Sequence, residues 1–434
     1  MRQWRIVNGH RIPLGRAHLL ASNVIREARR AGIPATNVTP IGSLRRWAPD
    51  VGDVSLLAVA EPAAHDGVLD GFLGLPMVTG VLARLPSCAE VATDRGRVRL
   101  HVAAPEDAGA ALVWFTGAPR HTEQLQTRAE RFGLVLSDGL LSRPSGALLS
   151  TPQEEDVYRE LRLPFIAPEL REGLDEIAVA ERGALPTLVS RADIRGDLHM
   201  HSTWSDGRDS IQHMVLAAKQ LGYEYVAITD HSERAFASRK LLAMEVPIQR
   251  DEIDALRARI SGIEILHGIE VEIMSDGSLD FDDALLDGFD IVLASLHDHR
   301  DDDRAQLTDR YVRAMEHPMV NIITHPANRA PGYSPGYDLD YPRLFEAAVR
   351  TGTAMEVDGA PGHLDMDGAI ARKAVEAGVT VTIDSDCHRS DALERQMRFG
   401  IGTARRGWIQ ANHVLNARSV DEVRAFVARK RGAR

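Results

Sequence analysis

The chain has 434 residues, 44% hydrophobic and 26% charged, with a formal net charge of -11, so two or three soluble globular domains are expected and non-specific attraction to a polyanion is disfavoured. Its two cysteines, Cys88 and Cys387, exclude a disulfide framework and point to a reducing compartment. No apolar run follows the charged N-terminus and none approaches the ~20 residues of a membrane span, so a cytoplasmic chain without a membrane partner is expected.

The charge is uneven. Residues 1 to 50 carry nine arginines and two acids, the last 31 carry eight bases and two acids, and residues 251 to 300 carry three bases and thirteen acids. Nucleic acid is then a partner only through local basic faces, and those arginines are equally explained as a solvated surface.

In chain order, the first ~20 residues read as an entry strand or arm. Residues 17 to 32 follow with helical spacing, Leu20, Val24, Ile25 and Ala28 on one side and Arg26, Arg29 and Arg30 on the other. Next, Gly42-Ser43 opens a turn whose amides can meet a phosphate, Arg45-Arg46 follows, and Asp53-Val54-Ser55-Leu56-Leu57-Ala58 alternates as a strand. This pattern resembles the nucleotidyltransferase palm of family X DNA polymerases. The resemblance continues through Val98 to Val102 and Phe115-Thr116-Gly117, where that family has its third carboxylate strand and its nucleotide-contacting turn. Two-metal nucleotidyl transfer needs three carboxylates. Asp53 fills the first position, but Ser55 and Arg99 stand at the second and third, and a guanidinium repels an ion. The family's helix-hairpin-helix segment is absent as well. Residues 1-143 are therefore expected to form a degenerate palm and thumb (α+β) without nucleotidyl transfer, leaving open whether Gly42, Ser43 and Arg46 still bind a nucleotide.

Residues 144-195 read as a linker, polar and broken by Pro144, Pro152, Pro164 and Pro168, with a short acidic helix opening at Glu154. From 196 onward strands and helices alternate, which predicts an α/β domain over 196-434 with a largely parallel sheet of seven strands, a closed or nearly closed barrel.

Metal-ligand residue types fall at the ends of those strands. His199 and His201 close the first and point the same way, because alternate strand residues share a face. Asp206 follows on the turn. Asp230 and His231 close the second strand, Glu270 the third, His297 the fourth and His325 the fifth, and Asp386 and His388 follow the last. One such histidine is ordinarily a loop residue; six with three carboxylates predict a metal site. Nitrogen with carboxylate oxygen suits Zn, Mn or Fe better than Mg or Ca.

Asp-Leu-His-Met-His-Ser, Ile-Thr-Asp-His-Ser, Gly-Ile-Glu-Val, Ala-Ser-Leu-His, Thr-His-Pro and Asp-x-His, in this order, resemble the polymerase and histidinol phosphatase (PHP) superfamily. With Gly400 to Trp408 they look like the C-terminal domain of bacterial family X polymerases. The resemblance implies a distorted (β/α)7 barrel with three divalent ions on His199, His201, Asp206, His231, Glu270, His297, His325, Asp386 and His388. Asp384 and Asp358 stand where such domains commonly carry asparagine, Ala360 and His363 replace an Asn and an Arg, and His299 is unusual. The extra acids are expected to repel a highly charged phosphate unless a metal or arginine sits beside them.

The chemistry implied is metal-assisted attack of hydroxide on a phosphate ester, with Asp206 and Asp386 in the catalytic set and Arg405 or Arg406 as clamps on phosphate oxygens. The first expected substrate is a DNA 3′ end, by 3′-5′ exonuclease or 3′-phosphatase action without polymerase activity. The competing readings are a small-molecule phosphatase of the histidinol-phosphate type and a non-catalytic DNA-end-binding scaffold. Oligomeric state is not legible.

Overall fold

The computed structural model describes residues 11–297 and 302–432 and divides into two compact units, up to Pro186 and from Thr187 onward. Residues 1–10 of the expected entry arm and His299 lie outside the described residues.

In the first unit, helix α1 (Leu14–Arg30) buries Leu14, Ala17, Leu20, Ala21, Val24 and Ala28, a stripe at helical spacing, and turns Arg26, Arg29 and Arg30 outward. Five strands form the sheet: β1 (Asn37–Pro40), β2 (Val54–Val59), β3 (Gly80–Arg84), β4 (Cys88–Thr93) and β5 (Gly96–Ala103), in the order β1-β2-β5-β4-β3. Only β2 and β5 are parallel, and their register sets Ser55 opposite Arg99.

Helix α2 (Gly42–Arg45) lies between β1 and β2, and α3 (His65–Leu73) between β2 and β3. Helices α4 (Ala108–Thr116), α5 (Pro119–Arg131), α6 (Glu154–Glu160) and α7 (Glu176–Glu181) follow the sheet. The expectation of a linker over 144-195 is corrected here. Val157, Tyr158, Leu161, Ile166 and Leu170 are buried in the first unit, and Val189 and Ile194 in the core of the second. The prolines punctuate short packed helices; polar composition disguised them because their carboxylates are paired inside the fold.

The second unit contains seven strands: β6 (Gly196–Asp197), β7 (Tyr225–Ile228), β8 (Glu264–Glu272), β9 (Ile291–Ser295), β10 (Ile322–Ile323), β11 (Ala354–Asp358) and β12 (Val381–Asp384). They are parallel and neighbour one another in chain order. A helix follows each: α8 (Ile211–Gln220), α9 (Val246–Arg259), α10 (Asp283–Leu286), α11 (Arg304–Glu316), α12 (Tyr341–Thr351), α13 (Gly368–Glu376) and α14 (Leu393–Arg406), before α15 (Val420–Arg431). This is the seven-fold β/α arrangement of a nearly closed barrel.

Strand alternation divides the core. Val226, Ile228, Val292, Ala294, Met355, Val357, Val381 and Ile383 pack in the larger apolar cluster with residues of the surrounding helices. Tyr225, Ala227, Leu266, Ile291, Leu293, Ile322 and Ala354 form a second cluster with Val423, Phe426 and Val427 of α15. The same alternation puts Glu270 and Glu272 in phase with Leu266, and Glu356 and Asp358 in phase with Ala354.

No ladder joins β6 to β12; the seam is stitched mainly by side chains. Asn416 Nδ2 donates to Gly196 O at 2.9 Å and Ile383 O at 2.6 Å, and its Oδ1 accepts from Ile383 N at 3.0 Å. Leu198 N donates to Asp384 Oδ1 at 2.8 Å, and Ser385 N to Asp197 Oδ1 at 3.2 Å. A parallel bridge between Met200 and Cys387 completes it.

Candidate metal centre

The turn after β6 is built by Asp230, which accepts from Ser202 N (2.7 Å), Ser202 Oγ (2.7 Å), Ser205 N (3.1 Å), Ser205 Oγ (2.6 Å) and Gln249 Nε2 (2.7 Å). Gly207 closes the turn because a Cβ there would stand 2.6 Å from Ser202 O. Two further positions are locally strained: His325 and Asp386 have φ of 23° and 47°, the left-handed region that non-glycine residues occupy at a cost.

The structure brings all nine expected side chains together at the strand ends. They form four overlapping groups whose ligand atoms lie within 4.8 Å of one another: His201, Asp206, His231 and His388; His199, His201 and Asp386; His199, Glu270 and His325; His231, Glu270 and His297. Glu270 is the hub, with imidazole nitrogens of His231 at 2.7 Å, His325 at 3.1 Å, His199 at 3.4 Å, His201 at 3.5 Å and His297 at 3.8 Å. Asp386 Oδ1 lies 3.1 Å from His201 Nε2, and Asp206 Oδ1 lies 3.2 Å from His388 Nε2.

These donors fit cations. His231 Nδ1, Glu270 Oε2 and Asp206 Oδ1 are buried and make no hydrogen bond of acceptable geometry, although His231 Nδ1 and Glu270 Oε2 are only 2.7 Å apart. Lone pairs that converge without pairing need a positive centre, because a buried unsatisfied polar group is costly.

Two carboxylates that the sequence reading missed orient the ligands. Glu356 Oε1 accepts from His199 Nδ1 at 2.7 Å while its Oε2 accepts from His325 N at 2.8 Å. Glu272 treats His297 in the same way, with Oε2 at 2.8 Å from Nδ1 and Oε1 at 2.8 Å from the backbone N. Such partners fix the tautomer and aim the other nitrogen. The signal was available: an acid inside an apolar strand, in phase with the inward residues.

Electrostatics follow from burial and proximity. Burial alone lowers His325 and His388, but Glu270 on the first and Asp206 with Asp386 on the second outweigh it and lift both to about 9. His201 is pushed down to about 3 by burial and by the charges of His388 and His231. Glu270 and Asp386 are held well below the carboxylate range despite burial, by His231 and His199 and by His199 and His201 respectively.

Asp384 and Asp358 are both fully buried, and burial with neighbouring acids (Asp197 and Glu356; Asp386 and Glu356) raises them well above the ordinary carboxylate range. Arg405 and Arg406 occupy the last turn of α14, where Arg405 Nη1 donates to Val189 O at 3.1 Å, in the segment leading into the first barrel strand, and a Cβ on Gly368 at the start of α13 would stand 2.7 Å from Arg406 Cβ. Ala360 is buried; His363 is partly exposed, its Nδ1 3.9 Å from Asp358 Oδ2.

At the palm positions, Ser55 Oγ donates to Asp53 Oδ2 at 3.1 Å and Arg99 Nη2 to Glu90 Oε2 at 2.8 Å. The arginine pair is engaged internally. Arg45 donates to both oxygens of Glu154 (2.8 and 2.6 Å) and to Thr116 Oγ1 (3.0 Å), and Arg46 to Glu172 Oε1 (2.8 Å) and Thr116 O (2.7 Å).

Comparison with known proteins agrees with this division. Residues 197–325 match the PHP domain family and residues 111–172 the DNA polymerase beta thumb family. The chain is 36% identical over 392 residues to the DNA polymerase/3′-5′ exonuclease PolX of Bacillus subtilis (strain 168), covering 89% of this chain and 68% of that one. It is 30% identical over 247 residues to a probable phosphatase of Thermoanaerobacter sp. (strain X514), covering 54% of this chain and 95% of the relative. A probable phosphatase of Shewanella sp. (strain MR-4) is 33% identical over 207 residues, 45% of this chain and 77% of the relative. Among the described residues no helix is long and apolar enough to cross a membrane.

Proposed function

Because the chain belongs to the PolX family of bacterial DNA polymerase/3′-5′ exonucleases that carry a PHP domain, we propose that it trims DNA 3′ ends, as 3′-5′ exonuclease or 3′-phosphatase, and adds no nucleotides. That it is a metal-dependent hydrolase of phosphoester bonds follows from the family. The choice of DNA rests on one observation: the likeness to a protein named an exonuclease runs through 89% of the chain, whereas the probable phosphatases match 54% and 45% of it.

Three divalent ions, Zn, Mn or Fe, would be held by His199, His201, Asp206, His231, Glu270, His297, His325, Asp386 and His388. When bound they supply Lewis acidity toward phosphoryl oxygens and lower the pKa of water. The protein's own contribution is placement. Glu356 and Glu272 aim His199 and His297, Asp230 fixes the turn bearing Asp206, and the buried carboxylates of Glu270 and Asp386 concentrate negative charge where cations must sit. Asp386 and Asp206 face the cluster from the two sides of the seam between β12 and β6 and are the acids assigned to the reacting side. Asp386→Ala is expected to lower turnover on the order of a thousandfold or more, since a displaced ion forfeits several kcal/mol of transition-state stabilisation.

The absence of nucleotide addition rests on the palm. One carboxylate, Asp53, remains there, and Arg45 and Arg46 are tied to Glu154 and Glu172. Incubation with 3′-labelled single strands, 3′-phosphorylated DNA and histidinol phosphate, each with Mn or Zn and a chelator control, tests the substrate; a primer-template with deoxynucleotides tests the palm. Release of nucleotides or phosphate from DNA is expected. Turnover of histidinol phosphate alone would refute the DNA assignment, and primer extension would refute the palm reading.

The small-molecule reading has one observation in its favour. Residues 187–434 carry 30 basic and 40 acidic side chains, a field that disfavours a long polyanion but tolerates a single phosphate.

A further inference from the structure

The metal centre is rimmed by a loop that the chemistry above does not use. Residues 233–240 leave from His231 and return to it: Ser232 forms a parallel bridge with Leu241, and Leu241 N donates to His231 O at 2.8 Å. The loop is rooted at several points. Ala235 is buried with its N–H on Ser232 O at 3.1 Å, Arg234 N donates to Asp280 Oδ2 at 3.0 Å, and Arg239 Nη1 donates to Thr203 O at 2.6 Å.

On this anchored loop Phe236 is 85% exposed, more than any other large apolar side chain among the described residues. An aromatic ring held in water by a fixed backbone contributes nothing to its own core. Arg234, Arg239 and Lys240 flank it against the single acid Glu233, and neither Arg234 nor Lys240 has an ion-pair partner among the described residues. A cationic patch of this kind is an exception within an acidic unit. Phe236 stands five positions beyond His231, so its Cα lies within ~18 Å of that ligand's Cα at full extension, a reach of a few nucleotides.

Resting on the reading that the barrel acts on DNA ends, we infer that this loop is a stacking platform for single-stranded nucleic acid, Phe236 taking an unpaired base near the scissile end while Arg234, Arg239 and Lys240 track the backbone phosphates. An exposed aromatic beside cations, without a set of base-reading hydrogen bonds, binds single strands without sequence preference. Duplex DNA offers no free base face, so single-stranded or frayed 3′ ends are favoured over blunt ones.

The test uses full-length protein, wild type and the variants Phe236→Ala and Phe236→Trp. Binding of a fluorescent oligothymidylate is read by anisotropy, and 3′-end cleavage is expressed relative to turnover of bis-p-nitrophenyl phosphate, a base-free ester. Phe236→Ala is expected to weaken oligonucleotide affinity and to lower the cleavage ratio by roughly five- to hundredfold, the range for losing one stacked base; Phe236→Trp restores both. Neutralising Arg234 and Lys240 together is expected to flatten the salt dependence of binding. Equal binding and cleavage by wild type and Phe236→Ala would overturn the platform while leaving DNA hydrolysis standing. Phe236-dependent binding without cleavage would keep the platform and overturn the hydrolysis. A wild-type protein that neither binds nor cleaves the oligonucleotide, or whose Phe236 affects only binding to anionic vesicles, overturns the platform.

Discussion

Glu356 holds the ring of His199 through a 2.7 Å contact between Oε1 and Nδ1, and this leaves Nε2 as the nitrogen that faces His201 Nε2 at 3.1 Å. Two imidazole nitrogens so placed repel or share a proton when no cation is present, and share a cation when one is. The carboxylate therefore decides which atom of His199 is the ligand.

Glu356→Gln is expected to keep the fold and to weaken metal retention by about 10- to 100-fold, the usual effect of losing a carboxylate behind a ligating histidine. Metal content after graded chelator challenge measures it. Retention equal to wild type would show that His199 is aimed without Glu356.

Removal of metal should lower the melting temperature, because an ion at a thousandfold excess over its dissociation constant contributes about 4 kcal/mol. The pH dependence has opposite signs in the two states. In the stripped protein, His325 and His388 titrate near 9, above the unfolded value of about 6.5, so their stabilising protons are fully bound below pH ~6.5 and lost as pH rises toward 9. In the loaded protein the same protons compete with the ion, so affinity rises over that window. Melting curves of both forms between pH 6 and 9 check the crossing; parallel slopes would count against ion binding at these histidines.

Glu154 ties Arg45 and Arg171 inside the first unit, with Arg171 Nη1 at 2.5 Å and the Arg171 side chain wholly buried. Glu154→Gln should cost about 3–5 kcal/mol by stranding buried cations, read by urea unfolding. Burial opposes ionisation of Glu154, but Arg171 and Arg45 outweigh it and lower its pKa. Its contribution is then present above the unfolded pKa of about 4.3 and lost as pH falls through the lower folded value. The variant should lack that acid-side loss.

Asn416→Leu should destabilise the second unit by about 2–4 kcal/mol, since it leaves Ile383 N and Gly196 O buried without their side-chain partner. Hydrogen exchange at Leu198 and Ser385 should quicken more than at mid-barrel amides. A uniform response would deny Asn416 its place in the seam.

The nine converging side chains could be read from the sequence because they lie at or just beyond the ends of six of the seven strands, and parallel strands send such ends to one side of a barrel. Ser55 and Arg99 were readable for a similar reason, their positions being set by the strand pattern. Glu356 and Glu272 were not singled out, since an acid inside a strand carries no label until its phase is compared with Ala354 and Leu266. Asn416 belongs to no motif, and its role depends on contacts with Gly196 and Ile383 that are distant in the chain.

The seam between β6 and β12 lies between His199 and His201 on one side and Asp386 and His388 on the other. During synthesis the first two histidines are made nearly two hundred residues before the last two ligands, and Asn416, which bonds to Gly196 and Ile383 across the seam, comes later still. Two of the four ligand groups, His201 with Asp206, His231 and His388, and His199 with His201 and Asp386, draw on both sides of the seam, so neither can form until the chain has been made as far as its last ligand.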